Sequence, residues 1–136
     1  MKRIFCLVLA ILLVTVSVTP VLAAEGESVV MPRYSYIVEM CSGLQIGTLG
    51  LSACQANCYI QNADHIVLTA KLQQYNGSTW TTVKTWTATG TNYASISKNY
   101  AVYSGYTYCL RATCAVFDAD GKVIENGTCY SNQVTY

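Results

Sequence analysis

The chain is 136 residues long, 52% hydrophobic and only 11% charged, where globular domains average roughly 25% charged residues. Eight cationic side chains against seven carboxylates exclude a basic nucleic-acid footprint. Sparse charge alongside 11% aromatic residues excludes a disordered chain.

The first residues read as an address. Met1-Lys2-Arg3 is positive, Ile4 to Val14 is an almost unbroken apolar run, Pro20 breaks it, and Val21-Leu22-Ala23-Ala24 offers small residues to a peptidase. These are the parts of a secretory signal. The run is too short for a comfortable spanning helix of about 20 residues. Residues 1–23 are therefore expected to be a signal peptide cleaved after Ala23, with Ala24 as the alternative. Residues 24–33, which contain Pro32, form a flexible start, and 34–136 form one domain. The product is expected to be secreted, extracellular, monomeric and without a membrane span. Six cations, Arg33, Lys71, Lys84, Lys98, Arg111 and Lys122, then face all seven carboxylates. The resulting single negative charge excludes charge-driven membrane binding.

Six cysteines follow the signal: Cys41, Cys54, Cys58, Cys109, Cys114 and Cys129. An even number in a short exported chain predicts three disulfides. Zinc is disfavoured because His65 is the one histidine and neither close cysteine pair has a two-residue gap. Six cysteines allow about 15 pairings, and alternation along strands narrows them. Cys54, Ala56, Cys58 and Ile60 share one face, and Tyr108, Leu110, Ala112, Cys114 and Val116 share another. Both sets look core-facing, so a bridge from the Cys54/Cys58 segment to Cys114 would cross between sheets. Cys129, just past a hairpin, is a candidate neighbour of Cys114.

Strand signals recur along the domain in chain order. Tyr34 to Met40 is aromatic and β-branched. Leu44 to Leu51 carries Gly47 and Gly50, and Cys54 to Ile60 follows, the stretch Ala53 to Gln61 being the one that would tolerate a helix. Ile66 to Tyr75 alternates cleanly, Asn76-Gly77 marks a hairpin, and Thr79 to Ala88 returns. Ala94 to Tyr103, Tyr106 to Phe117 after Gly105, an Asp120-Gly121 turn and Cys129 to Tyr136 complete the chain. Seven to eight short strands predict an all-β antiparallel sandwich with no helix.

Gly105-Tyr106-Thr107-Tyr108-Cys109-Leu110-Arg111-Ala112 resembles the penultimate strand of fibronectin type III domains, which belong with the immunoglobulin-like sandwiches. The resemblance implies a tyrosine-corner role for Tyr108 and a core role for Leu110, with Ser131-x-x-Val134-x-Tyr136 as the last strand. The chain lacks an early-strand tryptophan and the Cys…Trp…Cys order of immunoglobulin domains. The whole chain also resembles a family of small exported proteins of Gram-positive anaerobes. That likeness is carried by Leu72-Gln73-Gln74-Tyr75, Trp80, Val83-Lys84-Thr85-Trp86 and the Gly105–Tyr108 turn. It implies export and fold, and no activity.

Catalytic chemistry finds little support in the sequence. A nucleophile needs a neighbouring base, normally histidine. Asp64 and His65, as strand neighbours, would point to opposite faces. Asp118-Ala119-Asp120-Gly121 echoes the start of a calcium loop, but Lys122 stands where an oxygen ligand is needed, so it reads as a turn. Asn76-Gly77-Ser78 and Asn126-Gly127-Thr128 match the glycosylation pattern and also read as turns. No catalytic residue, metal or cofactor is expected.

The candidate binding residues are Trp80, Trp86, Tyr75, Lys71 and Gln73. A two-residue Asn76-Gly77 loop would pair Tyr75 with Ser78, Gln73 with Trp80, Lys71 with Thr82, Thr69 with Lys84 and Val67 with Trp86. Both tryptophans would then share the outer face, with Lys84 beside them. Aromatic faces flanked by amide and ammonium donors suit sugar rings or a protein hot spot. The expected function is a non-enzymatic extracellular binding module for a protein or glycan. A secreted toxin, bacteriocin-like or inhibitory protein is the alternative.

Overall fold

The computed structural model describes residues 33–136. The signal peptide, and the flexible start apart from Arg33, lie outside them. Eight strands run in chain order: β1 Ile37–Ile46, β2 Leu51–Ile60, β3 His65–Tyr75, β4 Trp80–Gly90, β5 Tyr93–Ala101, β6 Thr107–Phe117, β7 Val123–Tyr130 and β8 Val134–Thr135. They form two antiparallel sheets. One has the order β1-β2-β5; the other has the order β4-β3-β6-β7, with β8 also paired to β6.

Alternation places the core. On β3, Ile66, Leu68, Ala70 and Leu72 are all fully buried, while the residues between them are partly exposed. Cys54, Ala56, Cys58 and Ile60 of β2 and Tyr108, Leu110, Ala112, Cys114 and Val116 of β6 join them in one cluster. Both core-facing sets read from the sequence are thus buried. Each fully buried aliphatic side chain contributes roughly 1.5–3 kcal/mol.

Two element boundaries differ from expectation, each for a local reason. Gly47 and Gly50 form a turn, not a strand: Gly50 has φ 74° and its N–H donates to the Gly47 carbonyl at 2.9 Å. Strand β1 therefore runs on to Ile46. The stretch that would tolerate a helix is β2, because its even-numbered positions face the core. The closing segment is split. Asn126-Gly127-Thr128 lies inside β7 and is no turn. A Cβ on Gly127 would come within 2.7 Å of Ile37 Cδ1, so glycine lets β1 approach there. Ser131 then interrupts the pairing, its Oγ accepting the Leu110 N–H at 2.8 Å.

Tyr108 has the largest fully buried side chain. Its hydroxyl donates to the Tyr103 carbonyl at 2.7 Å and accepts the Tyr103 N–H at 3.1 Å. One side chain thereby fixes the corner between β5 and β6.

A second tie holds the start of the domain. The Glu125 carboxylate on β7 accepts the backbone N–H groups of Ser35, Tyr36 and Ile37 at 2.7, 2.9 and 2.7 Å. Burial pushes this carboxyl up, but the three donors outweigh it and hold it below its ordinary value. A depressed folded pKa adds stability that is fully present above the unfolded value and is lost as pH falls through the folded one. Glu125→Gln is therefore expected to destabilise the domain at neutral pH. In urea titrations its midpoint should converge on the wild-type midpoint as pH falls through the depressed folded pKa, where both side chains become neutral.

Candidate functional site

The β3–β4 hairpin carries the predicted binding residues, and its register differs from the two-residue reading. The loop spans four residues, with Tyr75 opposite Trp80. Asn76 makes this loop: its Oδ1 accepts the N–H groups of Ser78 at 3.0 Å and Thr79 at 2.9 Å, competing with a tighter turn. A bulge then places Val83 as an extra residue, so that Gln73 faces Thr82 while Leu72 faces Lys84. Past the bulge every β4 side chain changes face.

The five candidates are therefore divided. Trp80, Tyr75, Gln73 and Lys71 lie on the outer face of the larger sheet. Tyr75 and Trp80 have ring centroids 5.1 Å apart at 34°, and Trp80 is 38% exposed. Trp86, opposite Ala70, turns toward the interior and packs on the core. Its ring meets Tyr100 of β5 edge-on at 6.3 Å, and Lys84 Nζ lies 5.9 Å from the Tyr100 centroid. Trp86 and Lys84 thus cover the side of the core where β4 and β5 approach. The shared outer face for both tryptophans is corrected by the bulge, for which Thr81-Thr82-Val83 offers no signal.

Asp64 and His65 do meet, contrary to the strand-neighbour argument. Asp64 precedes β3, free of its alternation, and its Oδ2 lies 2.7 Å from His65 Nδ1. The imidazole also stacks on Phe117 at 4.7 Å and 2°. A depression of about 540 Å³ beside Asp64 also includes Asp118, with Tyr36, Asn62, Ala63, Ala119 and Ile124. No serine, threonine or cysteine lines it. Asp118 Oδ1 accepts the Asp120 and Lys122 N–H groups at 3.1 and 2.8 Å, so it builds the turn. Among the described residues no cluster of three His, Cys, Asp or Glu could hold a metal. Among them, too, no helix is long and apolar enough to cross a membrane.

None of the three expected bridges is closed among the six cysteines. Cys58 of β2 and Cys114 of β6 meet across the core, sulfur to sulfur at 2.8 Å. The Cys58 thiol donates to Cys114, and this hydrogen bond, then burial, pushes its pKa up. Burial, then the nearby Cys41 and Cys58, pushes Cys129 up to about 11. Cys54 faces the core. Cys109 occupies the opposite face of β6, where its thiol lies 3.6 Å from the Ser131 carbonyl. The larger sheet separates these two, so they cannot bridge each other.

The outer face of the smaller sheet carries residues not anticipated from the sequence. A depression of about 370 Å³ crosses all three strands, lined among others by Gly43, Gln55, Asn57, Tyr93, Ser95 and Ser97. Register aligns them in rows: Cys41, Asn57 and Ser95 in one, Gly43, Gln55 and Ser97 in the next. Tyr59 and Tyr93 pair at one end and are 45% and 51% exposed. The sequence signal was alternation of small polar residues, which also describes any solvated strand face. No family model matches the chain, and no curated protein matches it.

Proposed function

We propose that the chain is a small, non-enzymatic binding module that acts outside the cell after loss of its signal peptide, on a fibronectin type III-like sandwich stapled by Cys58 and Cys114. The observation that carries the reading is the Tyr75–Trp80 pair, held side by side on an outer sheet face with Gln73 and Lys71 in the adjoining rows. Partly exposed aromatics beside amide and ammonium donors are the groups that anchor sugar rings and protein hot spots. The strand order and the Tyr108 corner support the fibronectin-like reading. The 2.8 Å approach of Cys58 and Cys114 supports stapling in an oxidising compartment.

The test is a glycan array combined with pull-down from culture supernatant and cell wall, using the secreted protein. Trp80→Ala is expected to abolish capture in the pull-down while leaving the β-sheet circular dichroism intact. Trp86→Ala is expected to keep capture and lower stability by about 2 kcal/mol, roughly half the cost for a fully buried large aromatic. Equal capture by wild type and Trp80→Ala would overturn the assignment.

A further inference from the structure

The depression on the β1-β2-β5 sheet has the features of a ligand site in its own right. Its volume of about 370 Å³ falls within the range of small-molecule sites, roughly 300–1,000 Å³. Its lining is Cys41, Ser42, Gly43 of β1, Gln55, Ala56, Asn57 of β2 and Tyr93, Ser95, Ile96, Ser97 of β5. No side chain among these is an acid, a lysine, an arginine or a histidine. The Ser95 and Ser97 hydroxyls and the Gln55 and Asn57 carboxamides can each donate and accept hydrogen bonds, and Tyr93 adds an exposed aromatic face at one end.

Two further observations single this surface out. Asn57 Oδ1 is buried and has no hydrogen-bond partner. Such an atom costs about 1–3 kcal/mol. Gly43, in contrast, would meet nothing within 4 Å if it carried a Cβ. The space above it is part of the trough.

We infer that this trough binds a neutral saccharide, its ring hydroxyls hydrogen-bonded by Gln55, Asn57, Ser95 and Ser97 and one ring face against Tyr93. The chemistry decides the class. An anionic ligand would find no cation in the lining, and a cationic one no carboxylate. An apolar ligand would leave the two carboxamides unpaired. A neutral ring with hydroxyls on its edge and C–H groups on its face satisfies both the amides and the tyrosine. The site lies on the sheet opposite the Tyr75–Trp80 pair and stands independently of it.

The experiment titrates isotopically labelled protein with maltotriose, cellotriose and chitotriose at millimolar concentration, following amide chemical shifts. At least one trisaccharide is expected to shift Gly43, Gln55, Asn57, Ser95 and Ser97. Gly43→Tyr fills the trough without entering the core and should weaken binding at least tenfold. Asn57→Ala should also weaken binding, yet leave the melting temperature unchanged or raised, because it removes an unpaired buried atom. Absence of shifts with all three sugars, shifts that persist in Gly43→Tyr, or shifts confined to the Tyr75–Trp80 face would each overturn the assignment.

Discussion

Oxidised protein should melt well above the same protein in reductant. A Cys58–Cys114 bridge closes a loop between residues 56 positions apart, for which chain entropy gives about 4 kcal/mol. At roughly 4–8 °C per kcal/mol for a domain of this size, the melting temperature should fall by about 15–30 °C on reduction. The pair is well placed for this. Cys58 and Cys114 come from different sheets, so the bond would tie the two layers through the core. Mass spectrometry of the exported protein should find a peptide containing both residues and joined by one disulfide. The Cys58→Ala/Cys114→Ala double variant should melt at one temperature with or without reductant. A wild type insensitive to reductant, with two free alkylatable thiols at these positions, would refute the bridge.

Truncation of Tyr108 should be the most damaging single substitution in the body of the domain. Its ring is fully buried, and removal of a large buried aromatic costs about 3–5 kcal/mol. Tyr108→Phe separates the two contributions. It keeps the ring and leaves the Tyr103 carbonyl and N–H without their partner, at about 1–3 kcal/mol. Urea denaturation should therefore rank wild type above Tyr108→Phe, and that above Tyr108→Ala. A Phe variant as stable as wild type would show that Tyr103 finds water instead, and that the corner is held by packing alone.

The two proposed binding surfaces differ in how they are built. The Tyr75–Trp80 pair sits at the end of a hairpin, where Asn76 holds the loop through two accepted N–H bonds. The trough lies across three paired strands, and its residues are aligned by register and not by a loop.

Alternation by itself determined the all-β antiparallel fold and its inward faces. Ile66, Leu68, Ala70 and Leu72, and likewise Tyr108 to Val116, follow the two-residue period that burial of one strand face requires. Tyr108 was legible too, but only through the resemblance of Gly105–Ala112 to the penultimate strand of fibronectin type III domains. The fate of Trp86 was decided only by the tertiary structure. One extra residue at Val83 reverses every face beyond it, and a bulge depends on how two strands meet, not on either strand alone. The same reason hid the trough. Gly43, Asn57 and Ser95 are far apart in the chain, and only the register of β1 on β2 and β2 on β5 makes them neighbours.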